Sequence, residues 1–157
     1  MALLTGDEII EIAMRLEAKG EAFYTAAAEE ATTPEIKTMF EELAIQEQYH
    51  HRAFQQMGRD LVQMTLSDEQ WEQFQAYTGV LLEQRIFDKP DGALGEASAA
   101  QDERQALQAA LDFEKETLQF FQELKVVVKG ADKATVERII GEEEHHMKRL
   151  SRMLSTR

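Results

Sequence analysis

The chain has 157 residues, enough for one domain with a substantial buried core. Thirty acidic residues against 17 basic ones leave a net charge of −13, which argues against nucleic acid as a partner and draws cations towards the protein. There is no cysteine, so disulfides, thiolate nucleophiles, iron–sulfur clusters and cysteine-rich zinc sites are excluded.

Glycine is sparse and the two prolines are Pro34 and Pro90, a balance that favours long helices. The segment Met1 to Gly6 lacks a basic start followed by a long apolar run, so no signal peptide is expected. A first helix is expected from about Asp7 to Ala31, with Ile9, Ile10, Ala13, Leu16, Phe23 and Tyr24 on one stripe. Thr33-Pro34 reads as an N-cap followed by proline at the first helical position. The second helix then runs from Pro34 to Met57 with Ile36, Phe40, Leu43, Phe54 and Met57 inward, and stops at Gly58.

A connection over about 59–101 follows, too long for a tight turn. Ser67 with Gln70 looks like a capping box opening a short extra helix through Trp71, Phe74 and Val80 to Leu82. Lys89-Pro90-Asp91-Gly92 breaks the chain. A third helix is expected from about Asp102 to Lys129, ended by Gly130, and a fourth capped by Asp132 and carrying Val136, Ile139, Ile140 and Leu150. No apolar run approaches the roughly 18 residues of a membrane span, so a cytoplasmic protein that does not engage a membrane is expected. The fold class is all-α, a four-helix bundle in one domain over 1–157. Two helical hairpins, about 7–58 and 102–156, flank the long crossover.

The two hairpins repeat one another. A shift of 97 aligns Ala13 with Ala110, Glu17 with Glu114 and Tyr24 with Phe121; a shift of 96 aligns Leu43 with Ile139, Glu47 with Glu143 and His50 with His146. Glu47-Gln48-Tyr49-His50 and Glu143-Glu144-His145-His146 are both Glu-x-x-His, with Glu17 lying 30 residues before the first and Glu114 lying 29 before the second. The i, i+3 spacing puts glutamate and histidine on one helix face, able to share a metal. Glu17, Glu47, His50, Glu114, Glu143 and His146 all fall on the apolar stripes. Four carboxylates and two imidazoles at one level of a bundle form the ligand set of a carboxylate-bridged dimetal site.

Four carboxylates buried together would repel strongly unless cations sat between them, and two divalent metals would balance their charge. Mixed carboxylate and imidazole ligation suits iron, manganese or zinc. Glu142 with His145 is also Glu-x-x-His, but it aligns with Arg138 and Arg149 and is read as outer face, as is His51. Tyr24 and Tyr49 stand near the motifs; core packing is preferred for Tyr24 and a surface position for Tyr49. The methionines read as core filler. Gly20 falls on the inner face, where it permits close helix approach, and Gly141 also interrupts a helix.

Leu16-Glu17-Ala18-Lys19-Gly20-Glu21-Ala22-Phe23-Tyr24, the two Glu-x-x-His motifs and Phe113-Glu114-Lys115-Glu116 together resemble the rubrerythrin-like branch of the ferritin-like di-iron superfamily. The resemblance spans nearly the whole chain. It implies a ferritin-like up–down–down–up bundle and two iron ions per chain, with manganese or zinc as other occupants. It also implies that Glu47 and Glu143 bridge the metals, that Glu17 and Glu114 are terminal ligands, and that His50 and His146 hold one metal each.

Two departures from the family pattern stand out. The cysteines of a rubredoxin domain are missing, so electrons would come from a separate donor protein. Thr117 stands where rubrerythrins carry an extra carboxylate, which makes the site resemble the more symmetric ferroxidase centre of bacterioferritin. The activity implied is a di-iron oxidoreductase whose di-ferrous centre reacts with hydrogen peroxide or O2, as a peroxidase or a ferroxidase, in a homodimer or larger homo-oligomer. The alternative is a non-catalytic iron-handling or structural metal-binding bundle.

Overall fold

The computed structural model describes residues 6–57, 68–69, 72–73, 76, 102–128 and 130–156. Four helices are built from them: α1 Gly6–Glu30, α2 Pro34–Met57, α3 Glu103–Val127 and α4 Gly130–Ser155. No strand occurs among the described residues. Of the expected short helix, Asp68, Glu69, Glu72, Gln73 and Ala76 are described and are helical; its other residues, Trp71 and Leu82 among them, and the break at Pro90 lie outside the described residues.

Each helix begins and ends for a local reason. The turn before α2 is Thr32-Thr33, and the Thr33 carbonyl accepts from Lys37 N at 3.0 Å, so Pro34 occupies a position that needs no amide hydrogen. Lys37 Nζ reaches back to the Ala28 carbonyl at 3.0 Å and so covers an open end of α1. Asp102 caps α3, its side chain accepting from Gln105 N at 2.8 Å.

The turn between α3 and α4 differs from the expectation. The helix α3 stops at Val127, and Val128 takes extended angles. Gly130 is the first residue of α4 rather than a terminator, and its φ of +63° is one that a side chain would disfavour. Asp132 therefore lies in the first turn of α4, where its charge faces the positive helix end, and is not the cap.

The core is divided in two. One cluster joins Ile9 to Leu16 of α1 with Phe54 and Met57 of α2, Phe120 to Val127 of α3 and Val136 to Ile140 of α4. The other joins Phe23 to Ala28, Ile36 to Ala44, Ala106 to Leu111 and Leu150. The start of α1 thus shares an end of the bundle with the ends of α2 and α3 and the start of α4. The helices run up, down, down and up. Helices α2 and α3 run in the same direction, so a short turn could not join them; the crossover follows from that geometry. Helix α1 packs on α2 and α3, and α4 on α3 and α2.

Glu103 ties the two hairpins together at one end. Its carboxylate accepts from Thr32 N at 2.7 Å, Thr32 Oγ1 at 2.9 Å and Thr33 N at 2.6 Å. Slight burial works against the charge, but the hydrogen bonds from Thr33 and Thr32 hold the carboxyl down to about 2. A group lowered by folding contributes stability above its unfolded value and loses it as pH falls. Glu103→Gln is therefore expected to lower the unfolding free energy at neutral pH by about 0.5 kcal/mol, a figure discounted for solvent screening. In urea titrations the difference from wild type should fade as pH drops from about 4.5 towards 2.

Candidate metal centre

Between the two apolar clusters each helix contributes polar residues to the interior: Glu17 from α1, Glu47 and His50 from α2, Glu114 and Thr117 from α3, Glu143 and His146 from α4. All are buried, the glutamates completely. They lie inward because each takes the place of an apolar residue on its helix stripe, one turn from residues that must be in the core. The repeat then sets two helix pairs face to face at the same level.

The six residues singled out from the sequence come together. They form two overlapping groups, Glu17, Glu47, His50 and Glu143, and Glu47, Glu114, Glu143 and His146. Within each group one donor atom per residue lies within 4.8 Å of the others, close enough for one cation to be held by all four. Glu47 and Glu143 belong to both groups. The imidazole rings lie roughly parallel with centroids 5.7 Å apart. His50 Nδ1 is 2.9 Å from Glu143 Oε1 and 3.5 Å from Glu17 Oε2. His146 Nδ1 is 3.1 Å from Glu143 Oε2 and 3.4 Å from both Glu47 Oε1 and Glu114 Oε1.

Buried carboxylates normally find donors. Here both oxygens of Glu17, both of Glu47 and Oε2 of Glu114 have no hydrogen-bond partner, and nor has the Thr117 hydroxyl. Such a set of unpartnered oxygens facing one another fits a divalent cation and little else.

The electrostatics of the metal-free cluster say the same. Burial, and then the charge of Glu143, drive Glu17 and Glu47 well above the usual carboxylate range and Glu114 up to about 8. Glu143 goes the other way: burial opposes its charge, but hydrogen bonding with Glu114 and with both imidazoles holds it well below the usual range. Burial opposes a charged imidazole too. The Glu143 contact nevertheless lifts His50 to about 9, and Glu114 and Glu143 lift His146 to about 11. Without a cation the cluster keeps protons.

Three residues were undervalued by the sequence. Tyr24 does pack in the core, fully buried and stacked on Phe40, but its hydroxyl also donates to Glu114 Oε1. The available signal was chemical, since a buried tyrosine hydroxyl seeks an acceptor. Glu142 is not on the outer face: its Oε2 lies 2.6 Å from His50 Nε2, across the α2–α4 interface. A helical wheel puts residue 142 on the flank of the stripe, and the stripe alone does not say that this flank abuts α2. Thr117 is fully buried beside the carboxylates, three residues after Glu114 on the same face. Tyr49 is exposed, as preferred.

Gly20 has a direct role. A Cβ there would fall 2.6 Å from Glu47 Oε2 and 3.2 Å from Phe113 Cε1. The missing side chain is the space in which the Glu47 carboxylate sits.

The comparisons agree with this geometry. A family model described as Rubrerythrin matches residues 8–154. The chain belongs to the rubrerythrin family. Its fold matches that of a Thermotoga maritima protein described as a ferritin-like diiron-carboxylate protein. The TM-score is 0.73 at 25% identity, over 99% of this chain and 97% of the other. None of the curated proteins compared matches the sequence. The fold is the ferritin-like four-helix bundle, and the cluster of carboxylates and histidines fits a di-iron protein of this family. Among the described residues no helix is long and apolar enough to cross a membrane.

Two outcomes are expected from this arrangement. Gly20→Ala should bring no gain in stability to the metal-free protein, because the roughly 1 kcal/mol that alanine adds to the helix is offset by about 1–3 kcal/mol of crowding against the buried Glu47 and Phe113. It should weaken metal uptake at both positions by displacing Glu47, which a cobalt(II) titration alongside thermal melting would reveal. The second concerns pH. The three raised glutamates and both histidines bind protons more tightly folded than unfolded, so their contribution is complete at low pH and lost as pH rises through the folded values. Circular dichroism melts of the metal-free chain should give a falling midpoint between about pH 6 and 9, the span in which Glu114 and His50 titrate. A midpoint that rises over that span would contradict the assignment.

Proposed function

We propose that this protein is a di-iron carboxylate oxidoreductase whose reduced centre reacts with hydrogen peroxide or O2, a peroxidase or ferroxidase of the rubrerythrin type. The observation that carries the proposal is the pair of overlapping donor groups sharing Glu47 and Glu143, with five carboxylate oxygens buried and unpartnered. In this reading Glu17 and His50 hold one iron and Glu114 and His146 the other. Glu47 and Glu143, which belong to both donor groups, would be shared by the two, and manganese or zinc would be competing occupants. Two ferrous ions held there would supply the two electrons that, with two protons, convert one hydrogen peroxide to two waters.

The chain's own residues prepare that chemistry. On loading, Glu17, Glu47 and Glu114 release the protons that burial makes them keep, and both imidazoles must become neutral to offer a lone pair. The apolar clusters on either side exclude bulk water, so the charges inside interact strongly. Tyr24 holds Glu114 by its Oε1 and restricts how that carboxylate turns. The electrons would come from a donor outside these 157 residues, which hold no cysteine for an iron–sulfur relay. Assembly into a homodimer or larger homo-oligomer belongs to the same proposal.

The test loads the metal-free protein with ferrous iron under anaerobic conditions. Hydrogen peroxide is added, then O2 in a parallel sample, while the absorption of oxidised iron is followed. Two irons per chain should oxidise rapidly, with release of several protons on loading, and the faster oxidant separates peroxidase from ferroxidase. The double variant Glu47→Ala, Glu143→Ala should lose at least about two orders of magnitude in iron affinity, since it removes both shared ligands. Iron that binds but does not oxidise would replace this reading with a metal-holding bundle.

A further inference from the structure

The two halves of the centre differ in what stands behind their ligands. His50 turns Nδ1 inward, 2.9 Å from Glu143 Oε1, and turns Nε2 outward, 2.6 Å from Glu142 Oε2. When Nδ1 faces a cation, Nε2 carries the hydrogen and donates it to the Glu142 carboxylate. The repeat places Gln46 where Glu142 stands, since 142 − 96 = 46. A neutral amide has no charge to offer the second imidazole. Every carboxylate contact of His146 among the described residues runs through Nδ1.

The terminal glutamates differ in the same sense. Tyr24 donates to Glu114 and draws electron density from it. The repeat aligns Tyr24 with Phe121, which has no hydroxyl to offer Glu17, and neither oxygen of Glu17 has a donor. One half therefore pairs an unpartnered carboxylate with a carboxylate-backed imidazole. The other pairs a hydrogen-bonded carboxylate with an imidazole that lacks such backing. The shared ligands, Glu47 and Glu143, cannot cancel the difference because they serve both halves.

We infer that Glu142 is a positioning residue that makes the two metal positions unequal, so that the Glu17–His50 position holds a divalent cation more tightly than the Glu114–His146 position. This rests on the dimetal reading above. An acceptor behind a ligating imidazole fixes its ring, selects its tautomer and strengthens it as a donor. Glu142 also adds a negative charge on that side alone. Arg149, one of the two arginines that seemed to claim Glu142, is engaged by Glu42 at 2.6 Å. Glu142 borders an open cleft of about 360 Å³ together with His50, Arg52 and Arg138. Its side chain is 41% exposed, so a substitution there disturbs little of the core.

The test uses the metal-free full chain and cobalt(II). Calorimetric titration of wild type should resolve two steps per chain, the first tighter. E142Q keeps the shape and removes the charge; it should weaken the tighter step by about tenfold and leave the other within about twofold. E142D keeps the charge but shortens the reach to His50; it should weaken the same step alone and by less than E142Q does, and it carries the test should E142Q not fold. In the cobalt-loaded protein one hyperfine-shifted imidazole N–H should exchange with water faster in E142Q, a signature that a merely structural glutamate would not move. Both steps unchanged in a folded E142Q, or both weakened equally, would overturn the inference. A wild-type chain that takes up fewer than two cobalt ions would sink the dimetal reading, and this inference with it.

Discussion

Four fully buried glutamates at one level of a helical core set the terms for everything else in this molecule. Isolated, each would cost several kcal/mol to ionise in such surroundings, and the charge of Glu143 raises the other three further. The fold accepts this layer because apolar clusters above and below carry the packing. Two histidines supply the counter-charge when no metal is bound. Metal binding and proton retention are thus two solutions to one electrostatic problem, and the protein exchanges one for the other.

The bundle serves that layer in its details. Helices α2 and α4 run antiparallel, and each carries its Glu-x-x-His near the middle of its length, so the two motifs meet at one level. Gly20 removes a side chain where the Glu47 carboxylate needs room, and the aligned position in α3 holds Thr117 instead. The centre is consequently a near-symmetric construction with local exceptions. Gly20 against Thr117, Glu142 against Gln46 and Tyr24 against Phe121 are where two halves of common pattern acquire separate chemistry. An exception at a buried position alters hydrogen bonding in a low-dielectric setting, where its effect on a neighbouring ligand is large.

Much of this was legible without coordinates. The helix α2 begins at Pro34 and ends at Met57 as its proline and the following glycine suggest. The glutamates interrupt apolar stripes in both halves, and the structure places all of them inside. The misreadings have a common cause. Glu142 was assigned to the surface by its arginine neighbours on the same helix, whereas its partner is His50 on another. Gly130 reads as a terminator in sequence because glycine ends helices often, but here it stands at the start of the next helix, with a φ that glycine adopts freely. Tyr24 reads as apolar filling because periodicity registers where a ring points and says nothing of its hydroxyl.

The sequence by itself determined the helices, their inward faces and the residue types that share a level, because these depend on spacing along one chain and on the cost of burying charge. Only the tertiary structure decided which atoms meet across helices. That Glu47 and Glu143 each belong to both donor groups, that Tyr24 reaches Glu114, and that Glu142 stands behind His50 are facts of interhelical distance and rotation. A helical period gives the direction of each side chain about its own axis. How far apart the axes lie, and how each helix is turned against its neighbour, emerges only when all four pack around one polar layer.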